Sequence, residues 1–178
     1  DGKLKIEKWY DLSKRLLKFD NKKKIKELVF ETTLNSIKIN LRSDVPTSLA
    51  LSGGLDSTVL MSLINNEKFL DYKPLCYSID FDNSVSEKNY IDISTDYYGI
   101  KSKFINFTQK DFLNSIMPAI ACTESPSGGL MHLAMAKLCN EISKDSIKVV
   151  LDGTGPDEAY GGYEVHHIQY LCQFPRCE

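Results

Sequence analysis

The stretch best suited to chemistry is Ser52-Gly53-Gly54-Leu55-Asp56-Ser57-Thr58. Gly53 and Gly54 lack Cβ atoms, so the backbone can turn sharply and let an anion approach closely. An apolar strand, Thr47 to Leu51, leads in, and a helix from Ser57 to about Asn65 leads out. The first helical amides then point at that anion, aided by the positive end of the helix dipole. Ser52, Ser57 and Thr58 add hydroxyl donors. Asp56 would repel a phosphate unless a divalent cation sat between them. Mg²⁺ binds through one or two carboxylates plus phosphate oxygens, so Asp56 reads as a metal ligand. The loop lacks the lysine of Gly-x-x-x-x-Gly-Lys and does not fit Gly-x-Gly-x-x-Gly, which counts against two other nucleotide-binding designs.

A second stretch, Asp152-Gly153-Thr154-Gly155-Pro156-Asp157-Glu158, follows another apolar strand, Ile147 to Leu151. Ligands of parallel sheets sit at the carboxyl ends of strands, so both loops should open on one edge. Gly153, Gly155, Gly161 and Gly162 permit close backbone approach, and Asp157 and Glu158 supply carboxylates. Together the loops suit a magnesium–nucleotide site. The plainer reading of Asp157 and Glu158 is charge at a helix N-terminus, worth about 0.3–1 kcal/mol.

The elements that must carry these loops alternate. Residues 1–12 pattern as a short strand or extended arm, with Trp9 and Tyr10 covering an edge. Asp20 or Asn21 can cap a helix from about Lys22 to Asn40, with Ile25, Leu28, Val29, Phe30, Leu34, Ile37 and Leu41 near helical spacing. Arg42 to Pro46 breaks it. A second strand spans Leu75 to Ile79, and Asp80 to Asn83 form its exit. A helix then runs from near Ser86, with a Ser84/Glu87 capping box, to Tyr98, and Gly99 stops it. A third strand covers Ser102 to Phe107. Helices near Gln109–Ile116 and Leu130–Ser143 flank a Pro/Ser/Gly loop, Thr123 to Gly129. Near-continuous apolar strands alternating with helices predict an α/β fold with a doubly wound, Rossmann-like parallel sheet. The expected divisions are 1–45 as arm and helix, 46–170 as core, and 171–178 as tail.

Composition narrows the classes. The 178 residues suffice for one sizeable core. A formal net charge of −2 gives no reason to expect nucleic acid. Lys22, Lys23, Lys24 and Lys26 read as a solvated helix face. Five cysteines without a Cys-x-x-Cys pair, and three histidines, argue against zinc. With no signal-like or membrane-length apolar run, no membrane is expected and the cytoplasm is the expected compartment. His166 and His167 read as surface residues, Cys122 as a buried thiol beside Ile120 and Ala121, and Tyr97 and Tyr98 as covers for the sheet.

Ser-Gly-Gly-Leu-Asp-Ser resembles the PP-loop of the ATP pyrophosphatases. Arg42 to Pro46 before it, Tyr77-Ser78-Ile79, and Val149 to Tyr163 downstream resemble the synthetase domain of glutamine-dependent asparagine synthetases. That resemblance implies an adenine-nucleotide α-hydrolase-like fold and two steps: ATP adenylates an aspartate carboxylate, then ammonia displaces AMP. It implies that Leu51, Ser52, Gly53, Gly54, Leu55, Asp56 and Ser57 bind ATP. Ile79, Asp152 and Gly153 would line the nucleotide, and Asp56 and Asp157 would hold Mg²⁺. Thr154, Asp157 and Glu158 are the expected catalytic residues. The implied partners are aspartate or a similar carboxylate and ammonia from a glutaminase domain outside this chain, with a homodimer left open.

Three departures accompany the resemblance. Thr154 stands where asparagine synthetases carry an acid, and its hydroxyl is a poor base near neutral pH. Asp80 and Asp152 stand where the family usually has glycine and serine. The glutaminase domain and the later helices with the family's catalytic lysine do not occur in the 178 residues, so the chain is expected to be a fragment incomplete at its C-terminus. Two alternatives follow: a related adenylating amidotransferase with another acceptor, or a non-catalytic ATP-binding module.

Overall fold

The computed structural model describes residues 4–11, 14, 21–81, 87–126 and 128–172. Packing divides the chain into two units, Asp1–Ser36 and Ile37–Glu178. The elements in chain order are α1 (Lys22–Asn40), β1 (Thr47–Ala50), α2 (Leu55–Asn66), β2 (Cys76–Phe81) and α3 (Lys88–Tyr98). They continue with β3 (Ser102–Phe107), α4 (Gln109–Thr123), α5 (Leu130–Lys144), β4 (Val149–Leu151), α6 (Pro156–Tyr160) and α7 (Glu164–Leu171). Asp20, Ser84, Ser86, Ser127 and residues 173–178 lie outside the described residues, as do 1–3, 12 and the Asp82–Asn83 part of the expected exit.

The four strands form one all-parallel sheet ordered β3-β2-β1-β4. Although β1 is buried on both faces, its side chains still alternate. Leu49 and Leu51 enter a core with Ile37 and Leu41 from the end of α1, Met61 and Ile64 of α2, and Ile91 of α3. Ala50 and Tyr77 point the other way, onto Leu138 and Ile142 of α5. Phe107 continues that second face against Ala119 of α4 and Leu133 of α5. Helices therefore cover both faces, as a doubly wound parallel sheet requires.

Polar residues at both ends of the strands fasten the layers. Tyr77 is fully buried, and its hydroxyl donates to Asp145 Oδ2 at 2.7 Å, the oxygen that Lys103 Nζ also reaches at 2.7 Å. At the start of α4, Thr108 and Asp111 form a capping box, and Asp111 Oδ1 also meets Lys137 Nζ at 2.7 Å. Both carboxyls are held below the usual range, Asp111 by its bonds to Lys137 and Thr108, and Asp145 by those to Lys103 and Tyr77. A depressed folded-state pKa adds stability that is present above about pH 4, the unfolded value, and is lost as pH falls through the folded one. Asp111→Asn should therefore lower the melting temperature at pH 7 and flatten its fall in acid. Parallel losses for wild type and variant between about pH 5 and pH 2 would refute that coupling.

Several sequence expectations change. Residues 4–11 form neither strand nor helix, and Trp9 is 91% exposed. Asn21 does cap α1, its Oδ1 accepting from Lys23 N at 2.8 Å. Yet Ile25, Leu28, Val29 and Phe30 are 37–50% exposed, Leu34 is half-buried, and only Ile37 and Leu41 are buried. The first part of α1 belongs to a unit with no buried apolar residue of its own among those described, so helical spacing there marks no packed face. α4 does not stop at Ile116 but runs through Pro118 to Thr123. Ile116 and Ala119 pack against α5, and that burial offsets the hydrogen bond Pro118 cannot donate. Cys122 is exposed rather than buried, because the groove between α4 and α5 that it lines with Cys139 is open at that end. Tyr97 is 82% exposed, whereas Tyr98 packs onto the first core and shares a 2.7 Å hydrogen bond with Ser62. Asp80 and Phe81 extend β2 rather than leaving it. Gly99 ends α3 in the left-handed region, as expected.

Candidate functional site

The chain steps outward from β1 to β2 to β3, then returns past β1 to lay down β4 on its other side. Strand order therefore reverses between β1 and β4, the position where doubly wound sheets open a crevice. Register brings both exits to one level, since Leu49 lies opposite Leu151. Two residues on, Leu51 leads into Ser52-Gly53-Gly54, and Gly153 sits on the neighbouring strand's exit.

The first loop is knitted by its own hydroxyls. Ser57 is buried, and its Oγ accepts from Ser52 N at 3.2 Å and lies 3.1 Å from Ser52 Oγ. Ser57 Oγ also donates to Gly54 O at 3.3 Å, and Gly54 N donates to Ser52 Oγ at 3.2 Å. Gly54 is the N-cap of α2 and no side chain caps that helix. Its first amides are thus left for another acceptor, such as a phosphate. Gly53 has φ +80° and packs so closely on α3 that a Cβ there would lie 2.7 Å from the Cβ of Glu87. Leu51 is buried, so it faces the crevice with backbone alone, and Leu55 is exposed.

The second loop lies directly on the first. A Cβ at Gly153 would stand 2.6 Å from Ser57 N, 2.9 Å from Ser57 Cα and 3.1 Å from Asp56 C. Only a glycine allows this backbone-on-backbone approach. Asp152 Oδ1 accepts from Thr154 N at 3.1 Å, a local turn that presents Thr154 on the surface. Beyond it, Asp157 and Glu158 open α6, so the helix-terminus role is realised for both. Asp157 also folds over Gly162, leaving no room there for a side chain.

Tyr163 ties down Glu158, a role its sequence position did not reveal. Its hydroxyl donates to Glu158 Oε1 at 2.6 Å. That bond, then burial, then the negative charges of Glu158, Asp157 and Asp56 raise the Tyr163 pKa. Both expected metal ligands thus act on one hydroxyl although they come from different loops. Glu158 is used differently: its bond with Tyr163 is the main reason its carboxyl is held low, with backbone amides and His166 adding to it. His166 is half-buried against the Tyr163 ring at 5.3 Å, and His167 Nε2 lies 3.0 Å from Gly161 O. Both histidines brace the turn after α6. Ile79 lies apart, half-buried in β2 between the two cores facing α4 and α5.

The donor set suits magnesium with a nucleotide better than a self-sufficient metal centre. Among the described residues, no three His, Cys, Asp or Glu side chains group as a metal cage. Two carboxylates with phosphate oxygens completing the shell are what Mg²⁺ ordinarily takes. No helix among the described residues is long and apolar enough to cross a membrane.

Comparison with known proteins identifies the family and the fold. Residues 29–176 match the family model described as asparagine synthase. The chain is 33% identical over 157 residues to the putative glutamine-hydrolysing asparagine synthetase 2 of Methanocaldococcus jannaschii, covering 88% of this chain and 30% of that protein. It is 25% identical over 162 residues to the amidase chry2 of Gibberella zeae, covering 84% and 24%. It therefore spans less than a third of the length of either relative. Among solved structures, the U34-tRNA thiolase NcsA of Methanococcus maripaludis superposes with a TM-score of 0.52 at 18% identity, over 82% of this chain and 51% of that one. That likeness concerns the fold alone.

Proposed function

Because the chain belongs to the asparagine synthase family, we propose that it is the nucleotide-binding core of an ATP-dependent amide ligase. In this reading it adenylates the side-chain carboxylate of aspartate or a similar acid, releasing pyrophosphate, and ammonia or another amine then displaces AMP. The observation that carries the reading is the contact of Gly153 with the Ser57 amide, which joins two glycine loops at the strand-order reversal.

Each residue has a physical task. The uncapped amides of α2 and the Ser52 hydroxyl hold the leaving pyrophosphate, whose charge grows as the bond to the α-phosphate breaks. Asp56 and Asp157 hold Mg²⁺, which would help neutralise that charge. Asp152 and Gly153 line the nucleotide, with the backbone of Leu51 opposite and Ile79 near the adenine or ribose. Glu158 acts through Tyr163, positioning the loop that carries Asp157. Ammonia would come from a glutaminase domain, and the expected setting is cytoplasmic.

A second reading concerns the acceptor. Thr154 is exposed and neutral, so this loop supplies no base of its own at that position. Similarity to an amidase as well as to an asparagine synthetase fits an acceptor other than aspartate.

Calorimetry with ATP, with and without magnesium, is the first test, and magnesium-dependent binding is expected. Carboxylate-dependent exchange of labelled pyrophosphate into ATP is the second, run with aspartate and a panel of other acids. No nucleotide binding would defeat the whole reading. Binding without exchange for any acid would reduce the chain to a non-catalytic ATP module, and exchange with another acid would establish the second reading.

A further inference from the structure

Between α4 and α5 lies a groove of about 940 Å³. That volume is in the range of sites that hold drug-sized ligands, ~300–1,000 Å³. None of its lining residues has a task in the nucleotide chemistry. Its walls are Pro118, Ala119 and Cys122 of α4 and Met135, Ala136 and Cys139 of α5. Ala119 is buried and Ala136 half-buried, so small side chains form the floor, and Met135, 41% exposed, stands at the rim.

The charged groups along the groove are already paired. Asp111 Oδ1 meets Lys137 Nζ at 2.7 Å, and that ammonium also donates to Asn106 O at 2.6 Å. Glu141 Oε1 meets Lys144 Nζ at 2.6 Å. The His132 ring lies against the Gly128 backbone, leaving no room there for a side chain. No lysine or arginine among the described lining residues is therefore left to take a carboxylate. A charge carried into the groove would lose water without gaining a partner, a penalty that an apolar body avoids. Aspartate, with a second carboxylate and an ammonium beside the reacting group, is a poor fit and would leave most of the volume empty.

The groove also leads to the candidate site. Its inner wall stands on the carboxyl ends of β2 and β3. Ala119, Leu133 and Ala134 pack with Phe107, the last residue of β3, and Ile79 and Phe81 of β2 join them. Lys137 reaches Asn106 O at the same edge. On the side of β4, Cys139 keeps part of its surface in solvent. Its thiol is nonetheless pushed up, first by desolvation, then by the negative charges of Asp152 and Cys122. One wall of the groove thus lies within reach of the Asp152 carboxylate, one residue before the Gly153 that touches Ser57.

We infer that the groove between α4 and α5 holds the acceptor of the ligase reaction, a monocarboxylic acid with an uncharged, apolar body, its carboxyl group directed to the exit of β4. This assignment rests on the ligase reading and narrows its acceptor. At that exit a carboxylate oxygen attacks the α-phosphorus of ATP, the bond to the bridging oxygen of the β-phosphate breaks, and pyrophosphate leaves. The apolar body stays along Ala119 and Ala136, where it gains by leaving water.

Calorimetry in the presence of Mg²⁺ and the uncleavable α,β-methylene analogue of ATP compares hydrocinnamate with aspartate. The wild-type chain should bind hydrocinnamate at least ~10-fold more tightly. Ala136→Phe fills the groove and should weaken that acid at least ~10-fold while leaving affinity for the ATP analogue unchanged. Met135→Lys, at the exposed rim, supplies the missing cation and should shift the preference several-fold towards aspartate. Melting temperatures check that both variants fold, and Met135→Lys decides alone if Ala136→Phe does not. Aspartate bound as tightly as hydrocinnamate, or a preference that the folded variants leave unchanged, would overturn the assignment while binding of the ATP analogue persists. If the analogue itself does not bind, the ligase reading fails and this acceptor falls with it.

Discussion

Gly153→Val should weaken magnesium–ATP binding by about 100-fold while leaving the sheet folded. The Cβ that this substitution adds would lie 2.6 Å from Ser57 N and 2.9 Å from Ser57 Cα. Both are backbone atoms of the first turn of α2, which is fixed by the Ser52–Ser57–Gly54 hydrogen bonds and by Met61 and Ile64 in the core. Neither can yield cheaply, so the second loop must lift away. A displacement near 1 Å is enough to spoil contacts that depend on both loops at once, and such misplacements cost on the order of 10². Folding should suffer much less, because Gly153 follows β4, a three-residue strand at the edge of the sheet. Thr154→Ala, one residue on and exposed, is the control and should bind as wild type does. Calorimetry on the three proteins decides the matter. Full affinity in Gly153→Val would mean that the contact between the loops is not part of the nucleotide site.

The elements that form this site were legible for a simple reason: each is specified locally. The strands of the sheet read as apolar runs, and the glycines mark turns whose backbone must come close to something. Ser102–Phe107 and Lys22–Asn40 lie where the sequence places them. What could not be read was anything decided by contact between distant residues. Pro118 alone forecasts a stop, and only the packing of Ile116 and Ala119 on α5 explains why α4 continues. Ile25 to Phe30 look like a buried face until the structure shows no core beneath them. Strand order was equally silent, yet the return of β4 to the side of β1 is what brings Gly153 to Ser57. Tyr163 shows the same gap within the site. Its place after Gly161-Gly162 was visible, but its hydrogen bond to Glu158 and its nearness to Asp56 are properties of the folded loop pair.

That nearness gives the last prediction its form. Asp56 and Asp157 come from different loops, and both bear on the Tyr163 hydroxyl. If one magnesium ion is shared between them, Asp56→Asn and Asp157→Asn should each lower magnesium-dependent ATP affinity by roughly 10–100-fold, and the double variant should lose little more. Residues acting through one partner give non-additive losses, whereas two independent contacts would add. Without magnesium the sign should reverse. A carboxylate beside a triphosphate repels it, so removing Asp56 should leave metal-free ATP binding equal or tighter. A purely structural role predicts otherwise, because a damaged loop weakens binding whether or not the metal is present. The measurement is a double-variant cycle by calorimetry at two magnesium concentrations. Additive losses, or weaker binding in metal-free buffer, would remove Asp56 and Asp157 as a shared metal pair. The acids would then serve only α2 and α6, where each sits in the first helical turn.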